Sequence, residues 1–210
     1  MSRGKLITFE GIDGSGKTTQ IAYLADFIRS LGLEVLLLRE PGGTRIGEAV
    51  REVLLDMKHE AMTPETELFL FEAARAQLVR QVVRPALEEG KWVISDRFHD
   101  SSVAYQGYGR GLPLELVHSL NRLAIGDTLP DLTILLELGQ GTRAERLGKR
   151  HGAGAGDRID LEPDTFKERV CAGFRELADQ EPRRFIRIQS QDRKEDTAEL
   201  IREQVRRILL

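Results

Sequence analysis

Eight residues near the start of the chain, Gly-Ile-Asp-Gly-Ser-Gly-Lys-Thr at positions 11–18, constrain its fold more than any other stretch. They match the pattern of a phosphate-binding loop, G-x-x-x-x-G-K-[ST], at every fixed position. Residues 6–9 before them are apolar like a strand, and apolar side chains recur at helical spacing over residues 19–31 after them. This order of strand, glycine turn and helix predicts a loop that wraps a phosphate group.

The residue types within the loop indicate its chemistry. Glycines at positions 11, 14 and 16 permit positive φ angles, so that successive backbone N–H groups can point at phosphate oxygens. The amino terminus of the following helix adds a partial positive charge. We expect Lys17 to reach the β- and γ-phosphates and the Thr18 hydroxyl to bind Mg²⁺. The residues expected to hold the nucleotide phosphates are Gly11, Asp13, Gly14, Ser15, Gly16, Lys17, Thr18 and Thr19.

Length and charge exclude several classes of protein. The chain has 210 residues, which suits one α/β domain over residues 1–210. Its 31 basic and 34 acidic residues nearly balance, which argues against a protein that coats nucleic acid. A single cysteine excludes an internal disulfide, and no apolar run has the length of a membrane span. No cleavable apolar segment precedes the first strand, so we expect a cytoplasmic protein that binds neither nucleic acid nor membranes.

Four further segments read as strands, at residues 34–39, 91–95, 132–138 and 185–188, with helical segments between them. The nearly continuous apolar run at residues 34–39 is typical of a strand that is buried on both faces of a parallel sheet. We therefore predict an α/β fold with a five-stranded parallel sheet flanked by helices. In the helical segment that begins at residue 64, one ring of Phe69 and Phe71 is expected in the core.

Polar residues follow several of these strands, at the edge where open α/β sheets bind ligands. Asp96 and Arg97 end the third strand, where a carboxylate could bind Mg²⁺ beside the phosphate loop; a simple salt bridge is the alternative. Phe71 and Arg75 lie one helical turn apart and offer a stacking surface beside a hydrogen-bonding group. Without further context, core packing with a solvated arginine is the favoured explanation of that pair.

The composition predicts a flexible, basic segment at about residues 146–160. Small residues at positions 152–156 are bracketed by cations, a composition that suits a lid closing over phosphates. A solvated helix face beside a surface loop is the alternative.

Taken together, these segments resemble the thymidylate kinase family, in its bacterial form. The resemblance rests on the motifs at residues 9–19, 39–44, 71–75, 96–98, 101–107 and 157–159, and it spans nearly the whole chain. It implies a nucleoside monophosphate kinase fold like that of P-loop NTPases, with a lid. It also implies the substrates ATP and dTMP, the cofactor Mg²⁺ and a homodimer.

The resemblance assigns the nucleoside contacts residue by residue. Phe71 would stack on thymine, and Arg75 would donate a hydrogen bond to its O4 atom. Ser102 stands where a hydroxyl contacts the edge of the base. Tyr105 would lie near the sugar and favour a deoxyribose, with Gln106 close by.

The resemblance also assigns the phosphate contacts. Asp13 would approach the sugar 3′-hydroxyl, and Arg51 and Arg97 would hold the phosphate of the acceptor. The thymine methyl group would need a small apolar niche, which we place near Pro41 and Leu55.

One departure within the family concerns the catalytic cations. Some members carry an arginine inside the phosphate loop, whereas Lys17 is the only cation of the loop here. Members without that arginine supply a cation from a basic lid, and Arg146, Lys149, Arg150 and Arg158 are the candidates in this chain. We favour Arg150 and Arg158, and the sequence leaves open which of them makes the contact.

The resemblance implies transfer of the γ-phosphoryl group of ATP-Mg²⁺ to dTMP, which gives dTDP and ADP on the path to dTTP. A phosphate acceptor is already ionised near neutral pH, so Asp96 is assigned to positioning of metal or phosphate rather than to proton abstraction. The nearest rival is a phosphate-loop kinase for a deoxynucleoside or another monophosphate. A GTP-dependent switch is disfavoured because the sequence contains no Asn-Lys-x-Asp segment.

Overall fold

Five parallel strands form the central sheet of this protein. They are β1 (Leu6–Glu10), β2 (Val35–Arg39), β3 (Trp92–Asp96), β4 (Leu132–Glu137) and β5 (Phe185–Gln189), and they lie in the order β2-β3-β1-β4-β5. The structure is a computed structural model that describes residues 3–138 and 157–210. The predicted five-stranded parallel sheet is confirmed. The candidate lid cations at positions 146, 149 and 150 lie outside the described residues.

Eight α-helices surround the sheet in the described residues. They are α1 (Lys17–Ser30), α2 (Arg45–Leu55), α3 (Pro64–Leu78), α4 (Arg84–Glu88), α5 (His99–Ser102), α6 (Leu114–Ile125), α7 (Asp164–Gln180) and α8 (Lys194–Leu209). A wider, π-helical turn at Val79–Val83 joins α3 to α4. It ends two residues before Pro85, which lacks the N–H that a regular helix would use there. None of the described helices is long and apolar enough to cross a membrane.

The two faces of the sheet carry separate parts of the core. On one face Ile7 and Phe9 of β1 pack with residues of α1 and α8, including Leu24 and Ile201. On the other face the helices α3 to α7 cover the sheet. The prediction of burial on both faces is wrong for β2, where Leu37 is 39% exposed, because β2 lies at the edge of the sheet.

Strand register brings the predicted site residues to one edge of the sheet. Phe9 of β1 and Arg39 of β2 are both paired with Asp96 of β3. Because the three strands are parallel and end together, the segments that follow them emerge side by side. These segments are the phosphate loop, residues 40–44 and residues 97–98.

Candidate active site

The phosphate loop has the backbone geometry that its glycines allow. Gly11, Gly14 and Gly16 have φ angles of 132°, 82° and 98°. A Cβ atom on Gly11 would lie 2.4 Å from the carbonyl oxygen of Leu136, so a side chain is excluded there by space as well as by conformation. Gly16 immediately precedes α1, which leaves the first N–H groups of that helix at the loop.

Lys17 lies folded back under the loop. Its buried ammonium group donates hydrogen bonds to the carbonyl oxygens of Gly11, at 3.0 Å, and Ile12, at 3.2 Å. Burial, together with the neighbouring guanidinium of Arg97, lowers the pKa of Lys17 to about 8. Two cations so close together favour an anion between them.

One cleft beside the phosphate loop contains the residues assigned to the acceptor. It is lined by residues of the phosphate loop, of the segments that follow β2 and β3, and of α2 and α3. All eight predicted acceptor residues line it: Asp13, Arg51, Phe71, Arg75, Arg97, Ser102, Tyr105 and Gln106. Pro41 and Leu55, the proposed methyl niche, line it as well, and so does Asp96.

Arg75 is held in the cleft by carboxylates. Its Nε atom donates to Glu40 at 2.7 Å, and its Nη1 atom forms a short ion pair with Glu72 and a 2.8 Å hydrogen bond to Ser102. Only 1% of Arg75 is exposed, so the alternative of a solvated arginine is wrong. Burial lowers the pKa of Arg75, but the two ion pairs outweigh it and raise that pKa above its usual range.

Glu40 is a buried acid that the sequence alone did not single out. Burial raises the pKa of Glu40 to about 7, although the guanidinium of Arg75 favours its ionised form. Because Glu40 and Glu72 both contact Arg75, the guanidinium plane is fixed from two sides. The cleft therefore presents a hydrogen-bond donor of fixed orientation.

Arg97 lies between the phosphate loop and the acceptor cleft. Its Nη2 atom donates to Asp13 at 3.1 Å and to the hydroxyl of Tyr105 at 3.0 Å, and its guanidinium stacks on the Tyr105 ring. The alternative of a salt bridge between Asp96 and Arg97 is not what the structure shows, since the carboxylate that Arg97 contacts belongs to Asp13.

Arg51 adds a further guanidinium to the cleft, beside those of Arg75 and Arg97. It donates to the carbonyl oxygen of Pro41 at 3.0 Å, and Arg39 donates to the same oxygen. Burial and the nearby charge of Arg39 lower the pKa of Arg51. A site where cations face each other is suited to a phosphate group.

The two phenylalanines of α3 differ in environment. Phe69 is 56% exposed, whereas Phe71 is half-buried and lines the cleft. The expectation that one of the two rings lies in the core is wrong. The face of α3 that does enter the core is formed by Leu68 and Ala74 instead.

Glu67 links the cleft to the segment that begins at residue 157. It accepts hydrogen bonds from Gln106 and Arg110 and forms a 2.6 Å ion pair with Arg158. Arg158 also donates to the carbonyl oxygen of Leu54. Burial alone would raise the pKa of Glu67, but the hydrogen bonds from Arg110 and Gln106 outweigh it and lower that pKa. Arg158 is therefore engaged by a carboxylate in this structure, although its neighbours at positions 157 and 159 line the cleft.

The residues predicted to bind Mg²⁺ are both accessible. The Thr18 side chain is exposed in the first turn of α1, and Asp96 is half-buried at the end of β3. Among the described residues no group of three or more His, Cys, Asp or Glu side chains could hold a metal ion. Mg²⁺ at phosphates usually takes only one or two protein oxygens, and the oxygens of Thr18 and Asp96 are of the kind it prefers.

A second groove beside the loop was missed by sequence reasoning. It is lined by the phosphate-loop residues Ser15 and Gly16, by Thr19 and Gln20 of α1, and by residues 190–195 and 197. Gln20 donates to the carbonyl oxygen of Lys194, and Ser190 donates to that of Ser15, so the loop after β5 is fastened to the phosphate loop. These contacts join residues about 175 positions apart, which no local pattern reveals.

Known proteins of similar sequence and structure were compared with this chain. The family model described as "Thymidylate kinase" matches residues 9–201. A thymidylate kinase of Pelotomaculum thermopropionicum is 49% identical over 183 residues, which cover 87% of this chain and 84% of the relative. A thymidylate kinase of Pelobacter propionicus is 44% identical over 205 residues, which cover 96% of this chain and 94% of the relative.

A solved structure shares the fold along its full length. The crystal structure of thymidylate kinase from Ehrlichia chaffeensis superposes with a TM-score of 0.78 at 33% sequence identity. The match covers 97% of this chain and 99% of the other.

Proposed function

The chain belongs to the thymidylate kinase family, and on that premise we propose that it binds ATP and dTMP in two adjoining clefts and transfers the γ-phosphoryl group of ATP to dTMP. The products are dTDP and ADP, and the reaction belongs to nucleotide biosynthesis. The observation that carries the residue assignment is that all eight predicted acceptor residues line one cleft, which opens at the phosphate loop. Its first test is a panel of nucleoside monophosphates with ATP and Mg²⁺, in which dTMP gives the highest kcat/KM. A preference for another monophosphate would overturn the acceptor assignment.

The acceptor base is recognised by stacking and by one oriented donor. Phe71 offers its half-buried ring to the base, and Arg75 offers an N–H group to the O4 atom of thymine. Since Glu40 and Glu72 fix the guanidinium, little side-chain entropy is lost when the base binds. Cytosine presents an amino group at the same position, so a donor there disfavours it. The 5-methyl group of thymine faces Pro41 and Leu55.

The stacking assignment predicts a defined kinetic change. Phe71→Leu will raise KM for dTMP by about tenfold, because an aromatic ring stacked on a base contributes about 1–3 kcal/mol. The value of kcat will change little, since the ring does not contact the transferred phosphoryl group. Steady-state kinetics with dTMP as the varied substrate measures both.

Phe69→Leu is the matched control, because Phe69 lies two residues away on the same helix and is exposed. It will leave both constants unchanged. Equal KM values for dTMP in the two variants would remove Phe71 from the base site.

The donor nucleotide binds across the phosphate loop. The backbone N–H groups of residues 11–18 hold its phosphates, and Lys17 leaves its carbonyl partners to contact the β- and γ-phosphates. The adenosine then extends into the groove between α1 and residues 190–195, which is the open space that continues from Ser15 and Gly16. The anion also stabilises the charged form of Lys17, whose pKa burial lowers to about 8 in the free protein.

Thr18 and Asp96 are the residues that would hold Mg²⁺. When bound, the ion neutralises charge on the β- and γ-phosphates and helps to orient them. Asp96 lines the acceptor cleft at the end of β3, so its carboxylate serves positioning. No general base is assigned, because the acceptor phosphate has a second pKa of about 6 and is ionised at neutral pH.

The acceptor phosphate is held by Arg51 and Arg97, which both line the cleft. Arg51 donates to the neutral carbonyl oxygen of Pro41, which a phosphate can replace. Arg97 pairs with a single carboxylate, that of Asp13, and a phosphate can join this pair. Phosphoryl transfer is mostly positioning and stabilisation of charge on the equatorial oxygens, so these contacts contribute directly to rate.

The lid cation is assigned to Arg150 in preference to Arg158. In the described structure Arg158 would have to leave Glu67 before it could contact a phosphoryl group. Arg150→Ala will lower kcat by about 10²-fold or more, because a cation on the transferred group stabilises charge that appears only in the transition state. KM for dTMP will rise less than kcat falls.

Arg158→Ala is the comparison for this assignment. It will act mainly on KM for dTMP and on thermal stability, since Arg158 ties residues 157–159 to α3 through Glu67. The assignment is wrong if Arg158→Ala causes the greater loss of kcat.

An apolar face of α2 supports the proposal that the protein is a homodimer. Ile46 is 56% exposed and Val53 is 42% exposed, and both lie with Ala49, Val50 and Leu70 of α3 on one open surface. Exposed apolar patches of this kind are typical of association surfaces. Sedimentation velocity will show a species of twice the chain mass, and a monomer at all concentrations would refute the dimer.

We propose that the enzyme acts in the cytoplasm, where dTTP is made; fractionation of cells is the test.

A further inference from the structure

Arg97 has an unusual backbone conformation for an arginine. Its φ angle is 70°, and it is the one residue other than glycine with a positive φ within residues 3–138 and 157–210. Residues with a Cβ atom disfavour this region, so the surrounding structure must hold Arg97 there. The hydroxyl of Ser95 donates to the carbonyl oxygen of Arg97 at 2.7 Å, and the N–H of Arg97 donates to the carbonyl oxygen of Phe9 at 2.9 Å.

The next peptide is held by Glu10, the last residue of β1. Glu10 is fully buried, and one oxygen of its carboxylate accepts from the backbone N–H of Phe98 at 2.8 Å. This N–H belongs to the peptide that joins Arg97 to Phe98, so the contact fixes the chain on the far side of the strained residue. Three hydrogen bonds to neighbouring strands and side chains thus surround Arg97.

The other oxygen of Glu10 acts on the Arg97 side chain through Ser101. The hydroxyl of Ser101 donates to Glu10 at 2.6 Å, and Arg97 Nη1 donates to the same hydroxyl oxygen at 3.2 Å. Burial and the charge of Asp100 raise the pKa of Glu10 to about 8, while the charge of Arg97 favours its ionised form. A hydroxyl has one hydrogen, and its donation to ionised Glu10 turns the oxygen lone pairs towards Arg97. Glu10 therefore contributes both to the backbone conformation of Arg97 and, through Ser101, to the orientation of its guanidinium, which Asp13 and Tyr105 also contact.

A purely structural role explains Glu10 poorly. An apolar side chain at the end of β1 would fill the same space without the cost of a buried carboxylate. Both oxygens of Glu10 are instead used on the segment that carries Arg97. We propose that Glu10 is a positioning residue for phosphoryl transfer, which holds Arg97 so that its guanidinium faces the acceptor phosphate. The proposal rests on the proposed function, which assigns that phosphate to Arg97.

Glu10→Gln tests the proposal with almost no change in volume. A glutamine has one acceptor oxygen, so it can keep the hydrogen bond from Phe98 but presents an amide donor to Ser101. The value of kcat/KM for dTMP will fall by about 10- to 100-fold, because small displacements of a positioning group have effects of this size. KM for ATP will change little. Ser101→Ala removes the hydroxyl that joins Glu10 to the guanidinium but keeps the hydrogen bond from Phe98 to Glu10, so it will cause a smaller loss of the same kind.

A double-mutant cycle with Arg97→Ala separates positioning from general structure. If Glu10 acts through Arg97, Glu10→Gln will cause no further loss of kcat/KM in the Arg97→Ala background, where radiolabelled ATP makes residual turnover measurable. Additive losses would overturn the proposal and leave the role of Arg97 intact. Wild-type activity of Arg97→Ala would instead refute the proposed function. Should Glu10→Gln fail to fold, the same cycle with Ser101→Ala decides the matter.

Discussion

Lys17→Met will lower kcat by about 10³-fold or more while the protein stays folded. The ammonium group is the only side-chain cation of the phosphate loop, and a cation on the transferred group contributes about 10³–10⁵ in rate in enzymes of this chemistry. Methionine keeps the length of the apolar part of the side chain. Burial lowers the pKa of Lys17 to about 8, which shows that the folded protein disfavours this charge when no anion is bound. We therefore expect a thermal midpoint equal to or above that of the wild type.

Release of ADP in a coupled assay measures the loss, and circular dichroism measures the fold. Lys58→Met is the control, because Lys58 is an exposed lysine of a short 3₁₀ turn. It will match the wild type in both measurements. Turnover within a few-fold of wild type in Lys17→Met would mean that this loop does not hold the donor.

Arg97→Ala will lower kcat/KM for dTMP by about 10²–10³-fold, since it removes a donor that stabilises charge on phosphoryl oxygens. Both kcat and KM will change, because the guanidinium contacts the acceptor before and during transfer. Kinetics with dTMP varied at saturating ATP measures the two constants separately.

The backbone of Arg97 requires its own control. Alanine is disfavoured at a φ of 70°, whereas asparagine tolerates positive φ angles better than most residues. Arg97→Asn also lacks the guanidinium, so it will be as inactive as Arg97→Ala if the side chain matters. Substantial recovery of activity in Arg97→Asn would show that the conformation, rather than the charge, was lost.

The sequence alone predicted the phosphate loop and the sheet because both depend on local patterns. A glycine-rich turn between an apolar strand and a helix has few alternative structures, and Gly11, Gly14 and Gly16 have the positive φ angles expected of them. The acceptor residues came from the resemblance to a family. The structure brings all eight of them to one cleft, while their individual roles stay predictions until variants are measured.

What the sequence did not reveal depends on contacts between distant segments. Glu10 and Glu67 look like ordinary acids in a strand and a helix, yet they contact residues about 90 positions further along the chain. The ion pair of Arg158 and the edge position of β2 likewise follow only from the topology. The donor groove needs the loop after β5 to fold back on α1. A charged residue at the end of an apolar strand, as at Glu10, is the one local signal that was available.

The central claim is that donor and acceptor sites adjoin each other across Asp13, Asp96 and Arg97. Calorimetry with adenosine and thymidine joined by a bridge of five phosphates tests it most directly. The account predicts one molecule bound per chain, displacement by either ATP or dTMP, and an affinity about 10²–10⁴-fold tighter than that of either nucleotide alone. Binding no tighter than ATP, or displacement by only one of the two nucleotides, would contradict it.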